Sequence, residues 1–154
     1  MNHWWGMIII LCVTNSGCKK AIEFDSSNVS SVLLELRYMQ SDSLIKVQLE
    51  LTNQDSIKQF FDLLISKSEK ITPGTTIEHS SGRMILRAID RNGEPVFCGD
   101  YNFFSEYGSY FMWFDCDGAF RAFYGSFIND QAAQFLLSIC TNNGIALPPE
   151  LISP

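Results

Sequence analysis

The chain has 154 residues, and 17 acidic against 11 basic residues give it a formal net charge of −6. This length suits a single domain, and the acidic balance argues against nucleic acid as a partner, because phosphate backbones attract basic surfaces. No C-x-x-C or H-E-x-x-H spacing occurs, so the sequence predicts no metal and no cofactor.

The chain opens with an uncharged apolar run at residues 4–13, and residues 1–17 contain no Lys, Arg, Asp or Glu. Ten apolar residues are too few for a bilayer-spanning helix, which needs about 20. Residues 1–17 are therefore interpreted as a signal peptide.

The sequence Ser-Gly-Cys at residues 16–18 resembles the lipobox of bacterial lipoprotein precursors. The resemblance implies that Cys18 is acylated, becomes the mature N-terminus and anchors the chain in the cell envelope. Lys19, where Asp would signal retention in the inner membrane, implies the periplasmic side of the outer membrane if the cell has two membranes. Two alternatives stay open: cleavage after Ser16 or Gly17 with release as a secreted or periplasmic protein, and an unmodified Cys18 in a buried N-terminal element.

Residues 18–31 are polar and Ser-rich, so we expect a tether between the lipid and one domain at residues 32–154. A two-residue apolar period then predicts a hairpin with one buried face. Its apolar positions are Val32, Leu34, Leu36, Tyr38, Ile45, Val47, Leu49 and Leu51. Helical spacing follows, with Asn53 or Asp55 as N-cap, and predicts an amphipathic helix. Its apolar side is Ile57, Phe60, Phe61, Leu64 and Ile65.

The second half of the chain predicts two more hairpins and a second helix. The hairpins turn at Asn92-Gly93 and at Asp117-Gly118. The apolar side of the helix is Ala132, Phe135, Leu136, Ile139 and Cys140, and residues 145–154 are interpreted as a proline-ended tail. The predicted fold class is α+β, an antiparallel sheet of about six strands with two helices on one face, in the order ββα-ββ-ββα.

The two hairpin-helix segments share several residues at a shift of 75 positions. Three pairs are identical, Asp at 55 and 130, Gln at 59 and 134, and Phe at 60 and 135, and Lys46 matches Arg121 in charge. They indicate either an internal duplication or two helices that meet the same packing demands.

No residue of the sequence is assigned a catalytic role. His79 is followed by two serines without an oxyanion motif, which favours a solvated loop histidine. Cys98 faces Arg87 in the register of the second hairpin, which fits a reactive thiol, a small core residue or a disulfide with Cys116. Cys140 is predicted to be a core residue.

The candidate interaction residues lie on the sheet face that the helices leave free. A two-residue turn at Asp117-Gly118 places Met112 opposite Phe123 and Trp113 on the helix-covered face. The interaction set is Tyr110, Met112, Phe114, Phe123, Arg87 and Arg121. Aromatic, Met and Arg side chains are enriched in interface cores. The alternative is that other segments cover this face and make it a second small core.

These patterns favour a lipid-anchored cell-envelope protein that is not an enzyme and that binds an envelope protein through its helix-free sheet face. The membrane is a partner through the lipid anchor, and nucleic acid is not. The alternatives are a carrier of a small apolar ligand, with its cavity between sheet and helices, and a secreted soluble domain of the same fold.

Overall fold

A computed structural model describes residues 22, 24–70, 80–104, 108–116 and 123–152, with the backbone alone for 70, 123–125 and 152. The strands are β1 (Val29–Gln40), β2 (Ser43–Leu51), β3 (Glu69–Lys70), β4 (Gly82–Asp90), β5 (Pro95–Phe104), β6 (Gly108–Phe114) and β7 (Phe123–Ile128). The α-helices are α1 (Gln54–Lys67), α2 (Asp130–Asn142) and α3 (Pro149–Ile152), and a 3-10 turn spans Ser26–Asn28. Within the described ranges no helix has the length and apolar character needed to cross a bilayer.

The strands form one sheet in the order β2-β1-β4-β5-β6-β7-β3, and all neighbours are antiparallel. Helices α1 and α2 contact each other and bury their apolar sides in the same core as the strands. The α+β class and the order ββα-ββ-ββα are therefore confirmed. The two-residue β3 and the four-residue α3 are additions that their short length hid from sequence periodicity.

The first hairpin follows its apolar period. Residues 32, 34, 36 and 38 of β1 are buried, and the intervening residues 33, 35 and 37 are more exposed. The strands turn at Ser41 and Asp42, which both have positive φ, as a two-residue hairpin turn requires. Gln40 pairs with Ser43 at the end of the ladder, so the turn fixes the register of the whole hairpin.

Each long helix begins at an asparagine cap. Asn53 Oδ1 accepts from Ser56 N at 2.9 Å at the start of α1, and Asn129 Oδ1 accepts from Ala132 N at 2.9 Å at the start of α2. The Asn129 amide also donates to Leu63 O at 3.0 Å, at the end of α1. Asn129 therefore ties the two helices together as well as starting one of them.

The two helices correspond at a shift of 76 residues, since their caps are at positions 53 and 129. Buried residues coincide at this shift: Ile57 with Ala133, Phe60 with Leu136, Phe61 with Leu137, and Leu64 with Cys140. Within the helices the residues that match at a shift of 75 occupy non-equivalent places, and Phe135 is half-buried where Phe60 is fully buried. They therefore give no support to a duplication.

The predicted tether at residues 18–31 is wrong for its second half. Ile22 is fully buried, and the ring of Phe24 lies 4.8 Å from the rings of both Phe61 and Phe97. Asp25 caps the 3-10 turn through Ser27 N at 2.9 Å, and β1 starts at Val29. Because two apolar side chains in this polar segment join the core, the domain begins no later than residue 22.

The proline-ended segment, which the predicted domain of residues 32–154 includes, packs against the sheet. The Tyr38 hydroxyl donates to Ala146 O at 3.0 Å, and Leu151 of α3 is buried against Gly82. The segment after α2 therefore covers the end of the sheet at which β1 ends and β4 begins.

Candidate functional site on the helix-free sheet face

One face of the sheet is covered by the helices, and the other is here called the outer face. It comprises Leu33, Glu35, Arg37 and Met39 of β1, Leu44, Lys46, Gln48 and Glu50 of β2, Arg83, Ile85, Arg87 and Ile89 of β4, Cys98, Asp100, Asn102 and Phe104 of β5, and Tyr110, Met112 and Phe114 of β6. These residues share a face because directly opposed residues of antiparallel strands point to the same side.

The outer face carries the most exposed large apolar side chains of the described residues. Leu44 is 65% exposed, Met39 57% and Leu33 40%, and all three lie at the β1–β2 end of the sheet. Val96, at 42%, lies in the β-bulge where β5 passes β4. Contiguous exposed apolar surface marks an interaction site. Met39 and Leu44 are contiguous because they are directly opposed, whereas Leu33 lies six residues away on the same face of β1.

A shallow groove of about 510 Å³ runs along this end of the outer face. Its outer-face lining is Leu33, Glu35, Arg37, Gln48, Glu50, Ile85 and Arg87. Leu33 lies between Glu50 on β2 and Arg87 on β4, since it is directly opposite both. The groove therefore combines an apolar floor with a carboxylate on one side and a guanidinium on the other.

Most charges beside the groove are already paired. Glu35 accepts from Arg37 Nε at 2.6 Å, from Gln48 Nε2 at 2.9 Å and lies 2.9 Å from Lys46 Nζ. These interactions, above all the one with Lys46, lower the pKa of the Glu35 carboxyl from 4.5 to about 2. Glu35 is therefore ionised at every physiological pH and holds the two cations in place.

Arg87 differs from the other outer-face cations. Arg83 pairs with Asp100, a carboxylate that is only 3% exposed. Arg87 is exposed, and no ion pair joins it or Glu50 to another residue within the described ranges. Among the described outer-face residues near the groove, these two are the exposed charged side chains without an ion pair.

The predicted interaction residues fall into three groups. Arg87 is exposed, Met112 and Phe114 are half-buried, and Tyr110 lies on the outer face but is only 8% exposed. The Tyr110 ring packs edge-on against Phe104, with centroids 5.3 Å apart, so the two rings cover each other. Tyr110 is therefore removed from the interaction set.

The remaining predicted residues are only partly described. The backbone of Phe123 pairs with Phe114, so it remains next to the candidate face. Arg121 and Cys18, the predicted lipidation site, lie outside the described residues, as does His79.

The predicted register of the third hairpin is wrong. Met112 lies opposite Ser126, and Trp113 lies opposite Gly125, because β6 ends at Phe114 and β7 begins at Phe123. A two-residue turn at Asp117-Gly118 would instead place Met112 opposite Phe123. Cys116, two residues after the end of β6, is bonded to Cys98 on β5. Trp113 keeps its predicted side, and its ring stacks on Phe97 at 5.4 Å.

The three cysteines that the structure describes are structural groups. The Cys98–Cys116 disulfide, with a Cα–Cα distance of 5.3 Å, removes the reactive-thiol interpretation of Cys98, although Cys98 does lie opposite Arg87. Cys140 is a buried core residue, and burial raises the pKa of its thiol to about 11. Among the described residues no three His, Cys, Asp or Glu side chains are grouped so as to hold a metal ion.

Sequence reasoning missed the part of the outer face with the greatest exposure. Leu33 and Met39 occupy the outward positions of the β1 alternation, so the sequence places them on the outer face. The aromatic and Met side chains of β6 are instead the ones typical of interface cores, which is why the predicted set lies there.

Comparisons of the chain with protein-family models, with curated proteins and with solved structures give no significant match.

Proposed function

We propose that this chain is a lipid-anchored envelope protein, acylated at Cys18, and that the β1–β2 end of its outer face binds another envelope protein. The anchor is supported by the apolar run followed by Ser-Gly-Cys at residues 16–18. The binding role is supported by one observation, the concentration of exposed Leu33, Met39 and Leu44 on a single face.

The chemistry of the groove favours a protein as the ligand. Its apolar floor at Leu33 and Ile85 suits an apolar side chain of a partner, while Arg87 and Glu50 suit a carboxylate and an ammonium group on either side. Such polar groups around an apolar centre are typical of protein interfaces. A shallow open groove would leave most of a small apolar ligand in water.

The alternative of a small-ligand carrier lacks this kind of support. A carrier needs a cavity between the sheet and the helices, and aromatic rings occupy that region. Phe61 and Phe97 lie 5.2 Å apart, Phe97 and Phe111 5.8 Å apart, and Tyr101 and Phe111 4.8 Å apart. These are the distances of rings in direct contact.

The short connection to Cys18 adds a geometric condition to the proposal. Three residues lie between Cys18 and the buried Ile22, so the chain from one to the other spans at most ~14 Å. An acylated Cys18 would therefore keep the domain close to the bilayer, so we expect the partner to be a membrane protein or another surface-attached protein.

Detergent phase partition tests the anchor. Replacing Cys18 with Ser should move the protein from the detergent phase to the aqueous phase, whereas Cys12→Ser, in the proposed signal peptide, should change nothing. The intact mass of the native protein should equal residues 18–154 plus the acyl groups. An unchanged phase for Cys18→Ser, or a mass without acyl groups, would contradict the anchor.

Affinity capture from solubilised membranes tests the binding face separately. The Met39→Ser/Leu44→Ser variant should lose a partner that the unsubstituted protein retains. Gln59→Ser, an exposed change on α1, is the matched control and should retain it. Equal recovery by both variants would exclude this end of the outer face.

A further inference from the structure

The strand β2 forms one end of the sheet, and among the described residues it pairs with β1 alone. It is nine residues long, and Leu44, Lys46, Gln48 and Glu50 are all exposed. An open groove of about 350 Å³ lies beside its end, between Leu49–Thr52 and Ile139 of α2. A long edge strand whose backbone groups are exposed can pair with another strand.

The hairpin geometry determines which backbone groups of β2 are available. A two-residue turn makes Gln40 and Ser43 a hydrogen-bonded pair, so the odd-numbered residues of β2 bond to β1. The N–H and C=O groups of the even-numbered residues 44, 46, 48 and 50 point away from the sheet. They form a regular row of donors and acceptors on the free side of β2.

Beyond the binding role of the outer face, we propose that β2 pairs antiparallel with β2 of a second copy of this chain, around a two-fold axis at Gln48. In this register Lys46 of each copy lies directly opposite Glu50 of the other. Two opposite-charge cross-strand pairs result, and each such pair stabilises an antiparallel ladder. The ladder contains about six backbone hydrogen bonds, two for each opposed pair of even-numbered residues.

Charge selects this register over its neighbours. An axis at Lys46 would place two lysines opposite each other, which is unfavourable. An axis at Val47 would place Lys46 opposite Gln48 and the apolar Leu44 opposite Glu50. Only the axis at Gln48 brings both charges of β2 into complementary contact.

The helix-covered side of the strand supports the same pairing. Ile45, Val47 and Leu49 are half-buried and pack on the core from the edge. In the proposed register Val47 lies opposite Leu49 of the second copy, and Ile45 lies opposite Leu51. Pairing therefore continues the apolar inner face across the two-fold axis and removes more of it from water.

Charge reversal tests the proposal by sedimentation equilibrium of the full-length protein in a mild nonionic detergent. The unsubstituted protein should show a monomer–dimer equilibrium. Glu50→Lys should raise the dissociation constant at least about tenfold, because two like-charge oppositions replace two attractive ones. The double variant Lys46→Glu/Glu50→Lys should restore dimerisation. A monomer at all concentrations, an unaffected Glu50→Lys dimer, or no restoration in the double variant would overturn the proposal.

Cysteine cross-linking tests the position of the axis. Opposed residues of a hydrogen-bonded pair have Cα atoms about 5.5 Å apart, within the range that a disulfide bridges. Gln48→Cys should therefore give a covalent dimer on oxidation. Residue 50 faces Lys46 of the other copy and not residue 50. Glu50→Cys should therefore give no more covalent dimer than the unsubstituted chain. Equal cross-linking of the two variants, a monomeric Gln48→Cys, or its cross-linking to a different protein would overturn self-pairing.

Discussion

Leu44 lies directly opposite Met39 across the β1–β2 hairpin, and these two are the most exposed large apolar side chains of the described residues. Opposed side chains on an antiparallel ladder touch each other, so they form one apolar surface. Leu33 lies on the same face of β1, six residues before Met39 and beside the groove that contains Arg87, with Glu35 and Arg37 between them. Burial of the helix-covered face stabilises the fold, whereas the outer face exposes apolar side chains to water.

Replacing Met39 and Leu44 with Ser should leave the free energy of unfolding nearly unchanged, by less than about 0.5 kcal/mol each, because exposed substitutions remove little buried area. Leu36→Ala, a buried position on the same strand, should cost about 2–5 kcal/mol. Chemical denaturation measures both. A serine variant as destabilised as Leu36→Ala would mean that this surface is buried in the folded protein.

The helix correspondence at a shift of 76 residues predicts unequal costs for two phenylalanines. Phe60→Ala should lower the free energy of unfolding by about 3–5 kcal/mol, since Phe60 is fully buried. Phe135→Ala should lower the free energy of unfolding clearly less, because Phe135 is half-buried. Leu136→Ala, at the buried neighbouring residue, should lower it by about 2–5 kcal/mol. Denaturant midpoints for the three variants check this order. Equal costs for Phe60→Ala and Phe135→Ala would instead support the correspondence at 75.

The pKa of Glu35, lowered from 4.5 to about 2, predicts a pH dependence of stability. A carboxyl with a lowered pKa in the folded state stabilises the fold above its unfolded pKa, and this contribution is lost as pH falls from about 4.5 through 2. Glu35→Gln should make the melting temperature depend less on pH in this interval. Because Lys46 and Arg37 are partly exposed, added salt should reduce the difference between variant and parent. Parallel pH profiles for the two proteins would show that the ion pairs contribute nothing.

The disulfide predicts a sensitivity to reductant. Cys98 and Cys116 are separated by 18 residues, and closing a loop of this size in the unfolded chain stabilises a domain by about 2–4 kcal/mol. Reductant should lower the denaturant midpoint of the unsubstituted protein. It should leave a Cys98→Ala/Cys116→Ala variant unchanged, because Cys140 forms no bond that reductant can break. An insensitive parent protein would contradict the disulfide.

Much of the fold could be predicted because local signals agreed with the tertiary structure. The alternation at residues 32–38 identified the buried side of β1. Cys98 lies opposite Arg87 as expected, although the turn spans residues 91–93 and the β-bulge at Val96 restores the expected register. Each signal lies within one hairpin and needs no knowledge of distant contacts.

The errors share a different cause, since each concerns side-chain contacts between elements, which local periodicity does not show. The register of the third hairpin differs from that of a two-residue turn, and Cys116 beside it is bonded to Cys98 of β5. Ile22 and Phe24 lie in a polar segment, yet Ile22 is buried and the ring of Phe24 packs on Phe61 of α1 and Phe97 of β5. Tyr110 was expected to be exposed because its contact with Phe104 depends on the β5–β6 register.

Site-specific photo-cross-linking in intact cells tests the binding role of the outer face most directly. A photoreactive residue at position 33 lies on β1, one strand in from the edge, and one at position 59 lies on the exposed side of α1. Our account predicts a discrete adduct with another envelope protein from position 33 and none from position 59. No adduct from position 33, or the same adduct in equal yield from both positions, would contradict it.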